Sequence, residues 1–170
     1  MSTARGGESK AAVRKKAVRT KGEGKGKGKG KGEGLTAAAW AKLARAAEQA
    51  RGRAYAPYSG YHVGAAILTA EGVVLGCNVE NASYPMCVCA EAAAVASAVG
   101  QGRTRWQAVA VATEGPEPGA PCGACRQILA EFGDPDLPVG LVVGGRVARV
   151  VTLGELLPHA FSARVLNARA

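Results

Sequence analysis

From Leu35 onward, apolar and polar positions alternate in runs that change period, and the changes mark the elements. Trp40, Leu43, Ala44 and Ala47 recur with helical spacing on an Ala-rich segment that Thr36 can cap, so a first helix is predicted from Thr36 to about Arg53. Two apolar runs follow, His62 to Thr69 and Val73 to Val79, joined at Glu71-Gly72 and read as a hairpin. The run Ala92-Ala93-Ala94-Val95-Ala96-Ser97-Ala98-Val99 predicts a second helix that begins near Cys89 and stops at Gly100. Trp106 to Thr113 reads as a buried strand, and a third helix starts at Cys122 and ends before Gly133. Leu137 to Val143 and Val147 to Thr152 read as two more strands, hinged at Gly144-Gly145. One helix, two strands and then helices alternating with strands predict a three-layer α/β/α domain around one mixed sheet of about five strands.

Upstream of Leu35 the pattern disappears. Residues 1–34 carry eleven Lys and Arg against three Glu, so they hold +8 of the formal net charge of +9, while residues 35–170 carry eleven basic and ten acidic side chains. From Gly22 to Gly34 glycine alternates with charge and offers nothing to bury. Residues 1–34 are therefore expected to be a disordered Lys/Gly-rich tail with a reach of about 30 Å, preceding a catalytic domain at 35–170. Such a segment could hold phosphate backbones weakly and without sequence preference, or serve only as a solvated appendage.

Five cysteines and no secretory leader suggest a reducing, cytoplasmic compartment. No apolar run approaches the roughly 18 to 20 residues needed to span a bilayer.

The cysteines carry the chemistry. Cys89-Ala90-Glu91 and Pro121-Cys122-Gly123-Ala124-Cys125 each sit at a predicted helix start. Three thiolates can hold a zinc ion and leave one coordination position for water, which distinguishes a catalytic from a structural site. Cys122 and Cys125, three apart, fall on one face of a first helical turn. Cys89 and Glu91 can both face that position only if Cys89 lies at the helix entry, outside regular geometry. Helix N-termini favour negative charge and help to keep thiols ionised. Cys-x-Glu followed by Pro-Cys-x-x-Cys is the cysteine form of the zinc deaminase signature, with the glutamate as proton carrier. Alone, Cys122-x-x-Cys125 would read equally as a redox dithiol. Cys77 and Cys87 read as small packing residues, and His62 and His159 have no ligand-like spacing.

The segments YAPYSGYHVGAAIL, GCNVENASYPMCVCAE, PCGACRQ and ELLPHAF occur in that order within residues 36–162. Together they resemble the small cytidine deaminases of pyrimidine salvage, the homotetrameric kind with three cysteine ligands. The resemblance implies hydrolysis of cytidine and 2′-deoxycytidine to uridine and 2′-deoxyuridine with release of ammonia. It implies Cys89, Cys122 and Cys125 as zinc ligands and Glu91 as proton shuttle. Asn78 and Glu80 match positions that bind ribose hydroxyls, the Ala90 N–H is expected to face the pyrimidine carbonyl, and Tyr61, where the family usually has Phe, to line the base pocket. Ala82, Tyr84 and Phe161 match positions that reach a neighbouring subunit's site.

One position departs from the family. Arg often follows the catalytic Glu there and offsets the three thiolates, whereas this chain has Ala92. Three thiolates and a divalent ion sum to −1, so either Arg126 and the helix ends supply the missing field or activity is reduced or retuned. Deaminases of blasticidin type share that lack, which leaves another aminopyrimidine nucleoside as an alternative substrate. A structural zinc in a nucleic-acid-binding protein and a polynucleotide deaminase are further alternatives. The near-neutral core and the NVEN segment favour free nucleosides over a polynucleotide.

Overall fold

The computed structural model describes residues 34–163. The predicted tail, apart from Gly34, lies outside the described residues. Helix α1 (Ala37–Arg51) is capped by Thr36, whose hydroxyl accepts from the Ala39 N–H at 3.2 Å. The hairpin follows as β1 (Gly64–Thr69) and β2 (Gly72–Cys77), then α2 (Ala90–Gly100), β3 (Trp106–Ala112), α3 (Gly123–Ala130), β4 (Pro138–Val143), β5 (Arg146–Thr152) and a single-turn α4 (Leu153–Leu156). A 3₁₀ turn at Tyr84–Met86 and α4 were not predicted. Helix α4 is held by a capping box between Thr152 and Glu155, a signal present in the sequence but confined to one turn. Helix α2 runs through Gly100 rather than stopping before it, and the chain turns at Gly102, whose φ of 73° takes the left-handed conformation.

The sheet order is β2-β1-β3-β4-β5. Strand β1 pairs antiparallel with β2 and with β3, β3 runs parallel to β4, and β4 pairs antiparallel with β5. The expected mixed five-stranded sheet with helices on both faces is present. Alternation along β3 divides the core in two: Val109 and Val111 face α2 and α3, while Ala108, Ala110 and Ala112 face α1 with Leu43, Ala44 and Ala47. No helix among the described residues is long and apolar enough to cross a membrane.

Small residues let the helices lie directly on the sheet. Ala90, Ala94 and Ala98, one face of α2 at helical spacing, are completely buried. Beneath them is Gly76 of β2, where an added β-carbon would lie 2.2 Å from the Ala94 nitrogen and 2.4 Å from the Ala90 carbonyl oxygen. Both are backbone atoms, so relief requires α2 itself to move. The contact fixes the entry of α2, and with it Cys89 and Glu91. Gly76→Ala is expected to destabilise the fold by about 3 kcal/mol, the upper range of core overpacking, and to lower metal retention in the same protein. Urea unfolding and metal analysis of the purified variant test both effects.

Candidate metal centre and substrate pocket

Cys89 and Cys122 are the N-cap residues of α2 and α3, each with extended backbone. This resolves the spacing problem posed by Cys89 and Glu91, since Cys89 lies just outside the helix and Glu91 in its first turn. The sulfurs of Cys89, Cys122 and Cys125 all lie within 4.8 Å of one another. Helices α2 and α3 come from opposite sides of β3 in sequence, and their N-termini converge here with their unpaired first-turn amides.

The thiols differ in environment. Burial, first, and then the Glu91 carboxylate push the Cys125 thiol well above its ordinary range. Burial also raises Cys89. Cys122 is pulled down, chiefly by the backbone N–H of Cys125. Such sulfurs, crowded together with Cys125 only 1% exposed, ionise together only around a cation, and three thiolates suit zinc. The donor set therefore fits that ion. Glu91 is 4% exposed, and burial holds its carboxyl above the usual carboxylate range.

The centre opens into a cavity of about 370 Å³. Its wall includes Tyr61, Asn78, Glu80, Cys89, Ala90, Glu91 and Cys122, so most of the residues singled out in the sequence are brought together. Ala90 is the first residue of α2, and its N–H belongs to the helix-terminal amides that have no acceptor within the helix. Ala82, Tyr84 and Phe161 do not line this cavity. Tyr84 and Phe161 are exposed; the carbonyl of Phe161 accepts from Gln127 Nε2 at 2.7 Å. Cys87, expected to pack, is instead exposed and lines the cavity, because the segment before α2 runs over the pocket mouth rather than into the core. Its sulfur accepts from the Asn81 N–H at 3.3 Å. The wall also contains Ser59, Val111 and Thr113, which the sequence reading missed. His62 and His159 are outside the thiol cluster.

Arg126 is engaged elsewhere. Its Nε donates to the Pro121 carbonyl and its Nη1 to the Leu156 carbonyl, each at 2.7 Å. It thus braces the loop entering Cys122 against α4, and charge compensation at the sulfurs falls to backbone amides and the two helix N-termini.

Asn78 and Glu80 are braces as well as wall residues. Asn78 Oδ1 accepts from the Val63 N–H at 2.8 Å and Nδ2 donates to the Tyr61 carbonyl at 2.9 Å. Glu80 Oε2 accepts from the N–H groups of Tyr58 and Ser59 at 2.8 and 3.2 Å, and Oε1 accepts from the Ser59 hydroxyl.

Comparison with known proteins agrees with this geometry. The family model for the cytidine and deoxycytidylate deaminase zinc-binding region matches residues 39–141. The chain belongs to that family. It is 42% identical over 127 residues to a cytidine deaminase of Sporosarcina psychrophila, an alignment covering 74% of this chain and 93% of that one. A crystal structure of cytidine deaminase from Burkholderia pseudomallei is similar with a TM-score of 0.66 and 52% identity, covering 71% of this chain and 97% of the other. The Mycobacterium tuberculosis cytidine deaminase structure gives a TM-score of 0.64 at 43% identity, over 72% of this chain and 96% of that one.

The Glu80 brace has a pH signature. The Ser59 hydroxyl, first, and then the Tyr58 N–H hold its carboxyl below the ordinary range. Because the folded value is below the unfolded one, the contribution is complete above the unfolded carboxylate range and is lost as pH falls through the folded value. Protection of the Tyr58 and Ser59 amides, relative to their intrinsic exchange at the same pH, is expected to fall once acidification protonates Glu80, and Glu80→Ala to produce the same loss of protection at neutral pH. Unchanged protection in that variant would contradict the brace.

Proposed function

We propose that this protein is a zinc-dependent nucleoside deaminase that hydrolyses cytidine and 2′-deoxycytidine to uridine and 2′-deoxyuridine and releases ammonia, a reaction of pyrimidine salvage in the cytoplasm. The observation that carries this reading is a buried glutamate beside three clustered cysteine sulfurs, at the wall of a cavity large enough for a base and a sugar. Cys89, Cys122 and Cys125 would hold the zinc ion. When bound, that ion supplies a Lewis acid that makes water nucleophilic near neutral pH.

The chain's own groups account for the rest. Glu91 Oε takes the proton of the attacking water and delivers it to ring N3 so that C4 accepts the oxygen, then moves the remaining proton of the new C4 hydroxyl to the amino group, which leaves as ammonia as the C4 carbonyl forms. Its burial suits the task, because a raised carboxyl holds a proton closer to neutral pH than an exposed one would. The Ala90 N–H, at the positive end of α2, meets the pyrimidine carbonyl. The Tyr61 ring lines the base side, and Asn78 and Glu80 take the sugar hydroxyls.

The wall favours nucleosides over nucleotides. Among the described residues lining the cavity there is no Lys or Arg, and the ionisable oxygen acids there are Glu80 and Glu91. A 5′-phosphate would meet no counter-charge. The same argument disfavours a polynucleotide. In this reading catalysis belongs to the domain at 35–170, and any weak nucleic-acid binding belongs to the basic segment 1–34.

The active form we propose is a homotetramer. Tyr84, Met86 and Phe161 are 69, 64 and 57% exposed, an apolar set that includes two of the side chains absent from their own chain's pocket. A second copy would cover them, with Ala82, Tyr84 and Phe161 closing its site. Sedimentation is expected to give a tetramer, and activity is expected to follow that species on dilution. A fully active monomer would refute the shared site.

The decisive experiment compares variants in one spectrophotometric assay. The wild type is expected to turn over cytidine and deoxycytidine, and to leave deoxycytidylate, blasticidin S and a cytosine-containing oligonucleotide largely untouched. Glu91→Gln is expected to keep about one zinc per chain yet lose turnover by at least about 1,000-fold. Cys122→Ala is expected to lose both, whereas Cys77→Ala retains zinc. Full turnover by the Glu91→Gln protein would overturn the mechanism.

A further inference from the structure

Beside the pocket, outside the catalytic groups, four charged or titratable side chains form one connected cluster. Arg51, in the last turn of α1, donates from Nε to Glu48 at 3.0 Å and from Nη1 to Glu114 Oε1 at 2.9 Å. The same Glu114 oxygen lies 3.2 Å from His62 Nδ1, and Glu114 Oε2 is 3.5 Å from the His62 backbone nitrogen, which donates to it. Two carboxylates thus share one guanidinium. Glu48 Oε2 is the buried side-chain oxygen among the described residues with no partner at all. The contacts between Glu114 and its partners span 52 and 63 residues of sequence, so the cluster extends the β1–β3 pairing, which ends at Gly64 and Ala112, with side-chain bonds that also reach α1.

What it joins is informative. Glu114 immediately follows Thr113 and His62 immediately follows Tyr61, and both of those neighbours line the substrate cavity. On the opposite side, the Tyr61 backbone is already pinned: its N–H donates to Ser59 Oγ at 3.0 Å and its carbonyl accepts from Asn78. The first is local to its own loop, and the second ties it to the segment after β2. Beyond the last β1–β3 pair, Gly64 with Ala112, the side-chain link to the end of β3 runs through Glu114. Inside the pocket the Tyr61 hydroxyl reaches toward Gly119, where an added β-carbon would be 3.0 Å from it and 2.8 Å from Thr113 Cγ2. Gly119 in turn donates its N–H to Thr113 Oγ1 at 2.8 Å. Tyr61 therefore spans the cavity edge from its own loop to the loop leaving β3, and the charged cluster sits directly behind it.

We propose that Glu114, held by Arg51, is a positioning residue that fixes the Tyr61 ring at the substrate-facing wall by anchoring His62 to the end of β3. The proposal rests on the nucleoside-deaminase reading of the pocket. A partly exposed ion-pair cluster contributes little to global stability. A displaced binding wall, in contrast, costs much more in substrate affinity, because geometry at the site is sensitive to shifts of about 1 Å. The two roles consequently separate in their readouts: a purely structural cluster moves the unfolding midpoint, and a positioning cluster moves KM.

The test is a double-mutant cycle between positions 114 and 61, with KM and kcat for cytidine measured alongside thermal unfolding. Glu114→Ala in the full chain is expected to raise KM by about tenfold with kcat changed by about twofold or less. Glu114→Gln, which keeps the acceptor for the His62 N–H, is expected to recover part of that loss. In a Tyr61→Ala background the further rise from Glu114→Ala is expected to shrink to about twofold, since the group being positioned is gone. An equal rise in both backgrounds, or no rise in either, would overturn the proposal. Where Tyr61→Ala turns over too slowly, the same cycle is read from calorimetric Kd values for cytidine in the Glu91→Gln protein. Where Glu114→Ala does not fold, Glu114→Gln and His62→Ala complete it. A wild type that fails to deaminate cytidine would sink the functional reading itself, whereas normal wild-type turnover with an additive cycle would sink only the positioning role.

Discussion

The approach of α2 to β2 sets the position of everything at the site. Where Gly76 meets Ala90 and Ala94 the facing atoms are backbone atoms of both elements, so backbone rests on backbone. Any larger residue would act as a spacer and lift the helix. That closeness brings the N-terminus of α2 level with the N-terminus of α3, which the parallel pairing of β3 and β4 delivers from the other side. Two helix starts, each with first-turn amides lacking partners in their own helix, then face one small volume. The three sulfurs and Glu91 occupy it.

The absence of a basic residue after Glu91 becomes intelligible from that geometry. Three thiolates around a divalent ion leave one excess negative charge, which a neighbouring guanidinium could offset. Here position 92 is Ala, and Arg126 spends two of its donors on the carbonyls of Pro121 and Leu156. What remains is the field of two converging helix N-termini and the amides that bond Cys122. This compensation is fixed in the backbone, so it costs no side-chain ordering and cannot swing away. Arg126 contributes indirectly, by holding the entry to Cys122 in the one place where those amides can reach the sulfur.

Local signals made most of the fold legible in the sequence. Thr36 caps α1 through a bond three residues long, the hairpin follows a change from helical to twofold period, and each metal-binding cluster opens a helix. The metal centre was legible for the same reason: its spacings are those of single helical turns. Other features depend on contacts that no short window contains. Cys87 looks like a packing residue by type, yet the segment carrying it crosses a cavity. Thr113 looks like one more strand residue until the β3 end is seen to form the pocket floor. Arg126 follows a ligand and reads as a candidate for charge compensation, but only the position of α4 reveals where its guanidinium goes. The partnership of Arg51, His62 and Glu114 was invisible because its members lie far apart in sequence, at the end of α1, before β1 and after β3.

Asn78 and Glu80 illustrate how binding and folding can use the same atoms. The family resemblance matches them to sugar-binding positions, and the structure engages the polar atoms of both in bracing bonds. The two uses are compatible. An amide or carboxylate oxygen has more than one acceptor site, and the Asn78 amide has a second N–H, so each side chain can hold its loop and still meet a hydroxyl. Bracing also changes the energetics of binding. A free carboxylate would lose rotamer freedom when it captured a sugar, whereas Glu80 has already been immobilised by Tyr58 and Ser59 during folding. The ordering cost is then borne by the fold rather than by each encounter with substrate. The wall is accordingly rigid around Asn78 and Glu80, and the bond from Asn78 Nδ2 to the Tyr61 carbonyl extends that rigidity to Tyr61.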